Sequence, residues 1–113
     1  PFEPSDDDIL HGLSSAYKKV EKAEIKIQIT HAPPANTKVD LIHSGAHVGS
    51  EAVRKFIESR KPEVAICSHI HEAKGHDIVG GTQVLNCGRF PEGYCGLIDV
   101  SGHSATAKIV SLI

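Results

Sequence analysis

The sequence predicts an α/β fold, a mixed sheet built on a βαβ unit and followed by antiparallel hairpins. Three observations predict it. An alternating stretch from Glu24 to Thr30 is followed by a serine-capped amphipathic segment from Ser50, and then by an unbroken apolar run, Val64 to Cys67. Two later apolar stretches face each other across Gly80-Gly81, and two more across Ser101-Gly102. A strand, a crossover helix and a second strand favour parallel pairing with a right-handed connection.

The elements follow in order. Ser5 before Asp6, Asp7 and Asp8 is a helix N-terminus, with a capping hydroxyl and acids in the first turn. Ile9, Leu13, Tyr17 and Val20 then recur at helical spacing. In the first strand Ile25, Ile27 and Ile29 point one way and Lys26 and Gln28 the other, a half-buried strand with its isoleucines on the core side. Pro33 and Pro34 end it. Ala35 to Gly49 has no long period and reads as a loop of functional length. A second helix runs from Ser50 to about Arg60, with Val53, Phe56 and Ile57 on its apolar side, and Pro62 stops it. Val64 to Cys67 reads as a strand covered on both faces. Ile78-Val79 and Thr82 to Leu85 form a hairpin, as do Tyr94 to Val100 and Ala105 to Leu112. Both hairpins are expected to extend the sheet.

The chain has 113 residues, enough for one small domain spanning 1–113. A formal net charge of −2 provides no basic excess, which argues against electrostatic binding to nucleic acid or a membrane. Aromatic residues are few (Phe2, Tyr17, Phe56, Phe90 and Tyr94) and give no stacking platform for single strands. No apolar run reaches the ~20 residues of a membrane-spanning helix. Cys67, Cys87 and Cys95 are odd in number and read as thiols of a reducing, cytoplasmic compartment.

Histidine is in excess, with eight in the chain. Thr30-His31 falls at the C-terminal end of the first strand and Ser68-His69 at that of the second. Parallel strands bring both ends to one edge of the sheet, where open α/β folds place their sites. His71 can point the same way as His69 in an extended segment. Three neutral imidazoles suit zinc, manganese or iron, on one ion or two. Bridging carboxylates are still required, and Asp40, Glu72, Asp77 and Asp99 lack persuasive spacing. Gly49-Ser50 reads either as a helix N-terminus facing a substrate phosphate, with His47 beside it, or as an ordinary cap with a loop histidine. His11 and His103 read as surface residues, and His43 and His76 are undecided. There is no Gly-rich phosphate loop and no Gly-x-Ser-x-Gly elbow.

Several stretches together carry a family resemblance: Thr30-His31-Ala32-Pro33-Pro34, Gly45-Ala46-His47-Val48-Gly49-Ser50, Ser68-His69-Ile70-His71-Glu72-Ala73 and Leu85-Asn86-Cys87-Gly88. In these the chain resembles the C-terminal part of calcineurin-like metallophosphoesterases, especially a small archaeal and bacterial group. Ser68 stands where the family's Gly-His-x-His begins with glycine, and Cys87 where its Asn-Pro-Gly has proline. The resemblance implies that His31 and His69 ligate one divalent ion and His71 the other. It implies half of an αββα sandwich, and hydrolysis of phosphomono- or diesters, nucleotides included, by metal-activated hydroxide. The family's earlier Asp-x-His, Gly-Asp and Gly-Asn-His motifs do not occur here. The isolated chain is therefore expected to be inactive or very weak, and to pair with a missing N-terminal half or with a homodimer partner. The competing reading is a standalone metal-binding or structural domain that is not an enzyme.

Overall fold

A computed structural model describes residues 4–113; Pro1, Phe2 and Glu3, with the aromatic ring noted at Phe2, lie outside the described residues. Helix α1 (Asp6–Val20) begins as its sequence dictates: Ser5 Oγ accepts from Asp8 N while the Asp8 carboxylate accepts from Ser5 N, a reciprocal capping box. Helix α2 (Glu51–Arg60) is capped by Ser50, whose hydroxyl accepts from Val53 N. It ends at Lys61, in the left-handed conformation (φ 50°) with its N–H on the Ile57 carbonyl, just before Pro62.

The main sheet has the order β1 (Ile27–Ile29), β2 (Val64–Cys67), β4 (Thr82–Asn86), β3 (Gly75–Val79). β1 pairs parallel with β2 and β2 parallel with β4, while β3 lies antiparallel at the edge. The β3–β4 hairpin turns on Gly80 and Gly81, whose φ angles of 55° and 91° match a type I′ turn. The βαβ unit and this hairpin match the sequence reading. The second hairpin does not extend the sheet: β5 (Tyr94–Ser101) and β6 (Ser104–Ser111) form a separate two-stranded sheet. Gln83 of β4 fixes it there, donating through Nε2 to the Ala105 carbonyl (2.7 Å) and accepting at Oε1 from Ala107 N (3.1 Å).

The core lies between the main sheet and α2. Val53 and Ile57 of α2 pack with Val39, Ala65, Cys67, Val79 and Val84. Burying each larger aliphatic side chain is worth roughly 1.5–3 kcal/mol. α1 covers this layer only in part, with none of its residues fully buried, and is held by an edge-to-face contact of Tyr17 on Phe56 (6.0 Å).

β1 is shorter than predicted and its burial is inverted. Gln28 is buried, whereas Ile27 and Ile29 are 40% and 74% exposed. The alternation is real, but the covered side is the one Gln28 shares with Ala65 and Val84 under α2. Both carboxamide atoms of Gln28 are buried without a hydrogen-bond partner among the described residues. On the opposite face the β5–β6 hairpin reaches β4 and β2 but leaves the isoleucines of β1 open.

No described helix is long and apolar enough to cross a membrane. All three cysteines are free. Burial pushes the Cys67 thiol up to about 12, with further rises from Cys87 and Asp40 nearby. Such a thiol is inert at neutral pH.

Candidate functional site

The β1–β2 ladder continues past the ends of both strands. Thr30 N donates to the Ile66 carbonyl and Ser68 N to the His31 carbonyl, each at 3.0 Å. This register brings His31 and His69 to the same sheet edge. His31 Nε2 lies 2.9 Å from His69 Nδ1, with ring centroids 4.5 Å apart and planes tilted by 52°. His69 has φ +65°, and Ile70 N donates to the Ser68 carbonyl across it at 2.7 Å. That is a three-residue turn of a rare, strained type. Strain of this kind persists only where the surroundings over-determine it, and it clusters at binding sites.

Asn86 supplies part of that determination. It is fully buried at the end of β4, and its Nδ2 donates to the Ile70 carbonyl (2.7 Å) and to the Val39 carbonyl (3.3 Å). Its Oδ1 accepts from Gly88 N (3.1 Å). The residue between the two histidines is thus tied to the sheet and to the loop before α2. The sequence marks Asn86 as part of the Leu85–Gly88 stretch, but its contacts to Ile70 and Val39 depend on distant segments.

His71 is exposed and opens a one-turn 3-10 helix, His71–Ala73. The structure therefore brings His31 and His69 into contact. Among the described residues, no group of three His, Cys, Asp or Glu side chains converges so as to hold an ion. The donor chemistry of the pair does fit a cation. Nitrogens each ~2.1 Å from one ion lie about 3.0 Å apart at the ~90° of an octahedral ion and about 3.4 Å apart at the tetrahedral angle. At 2.9 Å the two rings share a hydrogen bond, and that separation is close to the spacing of two adjacent positions around an octahedral ion.

A cavity of about 440 Å³ opens beside the pair. His31, His69 and Pro33 form one wall, Val48 to Ser50 another, and the first turns of α1 a third. Ser50 lies on this wall, but its hydroxyl is occupied: it caps α2 and donates to Asp6 Oδ1 at 2.6 Å.

The wall is shaped by Asp40, which is fully buried. Its carboxylate accepts from Asn36 N, Thr37 N and Gly49 N, all at 2.9 Å, and from His47 Nδ1 at 2.6 Å. Burial alone would raise its pKa. The bond to His47 and the three amides outweigh that and hold the carboxyl below the usual carboxylate range. Asp40 was visible in the sequence only as an acid of unpersuasive spacing, since its partners lie in an irregular loop with no period.

The remaining histidines lie apart from the pair. His43 faces Glu72, through both its backbone N–H and its ring. His103 bonds Glu24, and His11 and His76 are exposed on α1 and β3.

The profile described as metallophosphoesterase, calcineurin superfamily, matches residues 14–110. An uncharacterised protein of Methanocaldococcus jannaschii, MJ1162, is 33% identical over 90 residues, covering 76% of this chain and 40% of that protein. One crystal structure superposes with a TM-score of 0.69 at 32% identity, covering 92% of this chain and 40% of the other. The crystal structure of TT1561 of Thermus thermophilus superposes with a TM-score of 0.59 at 20% identity, covering 92% of this chain and 43% of the other, a likeness of fold. The chain thus spans about two fifths of the length of these relatives. Taken with the paired histidines at the sheet edge, the match over most of its length means that this chain belongs to the calcineurin superfamily of metallophosphoesterases.

Proposed function

We propose that residues 1–113 are the C-terminal half of a metal-dependent phosphoesterase domain that hydrolyses phosphomono- or diesters. The observation that carries this reading is the 2.9 Å approach of His31 Nε2 to His69 Nδ1 at the end of two parallel strands. His31 and His69 would hold one divalent cation, manganese, zinc or iron, and His71 would hold a second together with ligands from the other half. The cations would supply Lewis-acid charge and lower the pKa of attacking water. The chain's own residues do the rest. The γ-type turn and Asn86 orient the His69–His71 segment, and the loop held by Asp40 shapes the cavity wall where a phosphoester would sit.

The other half has a natural seat. Ile27 and Ile29 present apolar surface on the face that the β5–β6 hairpin leaves open. Exposed apolar side chains on an uncovered sheet face favour association, here with the N-terminal half or, without it, with a homodimer partner. The free thiols fit a reducing, cytoplasmic setting. The substrate would be a small phosphoester such as a nucleotide.

The test is hydrolysis of an aryl phosphodiester with manganese by this chain, with and without the N-terminal half. The reading expects negligible turnover alone and clear turnover when reconstituted. A reconstituted protein inert with manganese, zinc and iron would overturn it.

A further inference from the structure

A second cavity, of about 130 Å³, opens between α1, β1 and α2. It shares only Leu13 with the cavity beside the histidine pair. Its sides are apolar: Leu13, Ala16 and Val20 of α1, Phe56 of α2, and Pro62. Gln28 lines its inner end. That side chain leaves β1 on the helix side of the sheet, where the residue is 8% exposed. Both carboxamide atoms are buried without a hydrogen-bond partner among the described residues. Burying a donor and an acceptor unsatisfied is costly, and such groups are few in folded proteins.

The outer end is cationic. The Arg60 guanidinium lies 4.6 Å from the centre of the Tyr17 ring and 5.8 Å from that of Phe56, and Lys26 Nζ lies 5.6 Å from the centre of Tyr17. Arg60 is exposed, so this end is the mouth. Both cations line the cavity, and neither is paired with a carboxylate among the described residues. Two positive charges gathered on one ring repel each other, and an anion between them relieves that repulsion. From inside to outside the cavity thus offers a donor and an acceptor, an apolar sleeve with two aromatic rings, and a positive mouth. Its volume is close to the ~150 Å³ that accommodates one benzene ring.

We infer that this cavity binds a single-ring aromatic carboxylate with a hydroxyl opposite the carboxylate. The ring fills the sleeve against Tyr17 and Phe56. The carboxylate meets the Arg60 guanidinium, whose planar fork matches it, with Lys26 alongside. The hydroxyl exchanges hydrogen bonds with the Gln28 carboxamide, which turns towards it by a change of rotamer. Binding is non-covalent, and the inference does not rest on the phosphoesterase reading.

The test titrates 4-hydroxybenzoate into the 113-residue chain, followed by proton–nitrogen NMR. A Kd below about 1 mM is expected, within the range for a ligand of about ten non-hydrogen atoms. The largest shifts should fall on the Gln28 side-chain amide, the Arg60 guanidinium and the Tyr17 backbone. Benzoate, which lacks the hydroxyl, should bind about tenfold more weakly. 4-Hydroxybenzyl alcohol, which lacks the charge, should also bind about tenfold more weakly. Gln28→Leu removes only an unsatisfied buried group, so the variant should fold, and it should erase the preference for 4-hydroxybenzoate over benzoate. Arg60→Gln should weaken 4-hydroxybenzoate about tenfold and leave that preference in place. No shift at these residues with about 10 mM ligand, the carboxamide then being left to water, overturns the inference. A preference for the hydroxyl that survives Gln28→Leu overturns it, as does equal affinity for the uncharged alcohol. Binding abolished by adding the N-terminal half would assign the cavity to the contact between the halves, and overturns it too.

Discussion

Asn86 Nδ2 donates at 2.7 Å to the carbonyl of Ile70, the residue between the two histidines of the His-x-His segment. A single buried carboxamide on β4 thereby fixes the path of a loop whose neighbouring strand ends carry the candidate ligands. Asn86→Ala leaves the Ile70 and Val39 carbonyls and the Gly88 amide without these partners. Each unsatisfied buried group costs about 1–3 kcal/mol. A loss of at least about 2 kcal/mol in urea unfolding is expected, with broadened resonances for His69 and His71. Unchanged stability would show that the loop holds its path without Asn86.

His69 is a case where stability and function should part. Its φ of +65° is costly for a side chain and free for glycine. His69→Gly should keep or raise stability, by up to about 1 kcal/mol, while weakening metal retention. A variant clearly less stable than the parent would place the ring's packing above the backbone strain.

Gln28→Leu removes a buried carboxamide that has no partner among the described residues. An apolar side chain of similar size escapes that desolvation cost, so thermal unfolding should show a gain of about 1–2 kcal/mol. A loss would mean that the carboxamide is satisfied in solution.

These residues also mark how far the sequence could be read. The helix caps at Ser5 and Ser50, the βαβ order and the strand-end positions of His31 and His69 follow from local rules of capping and periodicity. Which face of β1 is covered does not. A period of two gives alternation, and only the distant α2 decides that Gln28 goes in while Ile29 stays out. The β5–β6 hairpin was legible as a hairpin, but its separation from the main sheet depends on Gln83, a contact across more than twenty positions. Asp40 gathers partners from four places in an aperiodic loop, so its role emerges only in three dimensions.

Asp40 also sets a pH dependence. Its folded pKa lies below its ordinary value of 3.8. Its contribution to stability is therefore complete above that value and is lost as pH falls through the lower folded value. Stability followed by urea unfolding should decline in acid below about pH 4, and Asp40→Asn should flatten that part of the curve while lowering stability at neutral pH. An identical acid profile in the variant would assign the decline to other carboxylates.

Ile29 is 74% exposed on the uncovered sheet face. Ile29→Glu should leave the fold intact, as judged by circular dichroism, yet reduce association with the N-terminal half or with a second copy by tenfold or more, about 1.4 kcal/mol. Sedimentation with unchanged association constants would remove this face as the contact.

The most direct measurement is the metal content of the reconstituted protein after dialysis, wild type against His31→Ala, His69→Ala and the double variant. The account predicts that each single variant loses the ion held between these rings, and that the double variant loses no more than either alone. Equal metal content in the wild type and the double variant would contradict it.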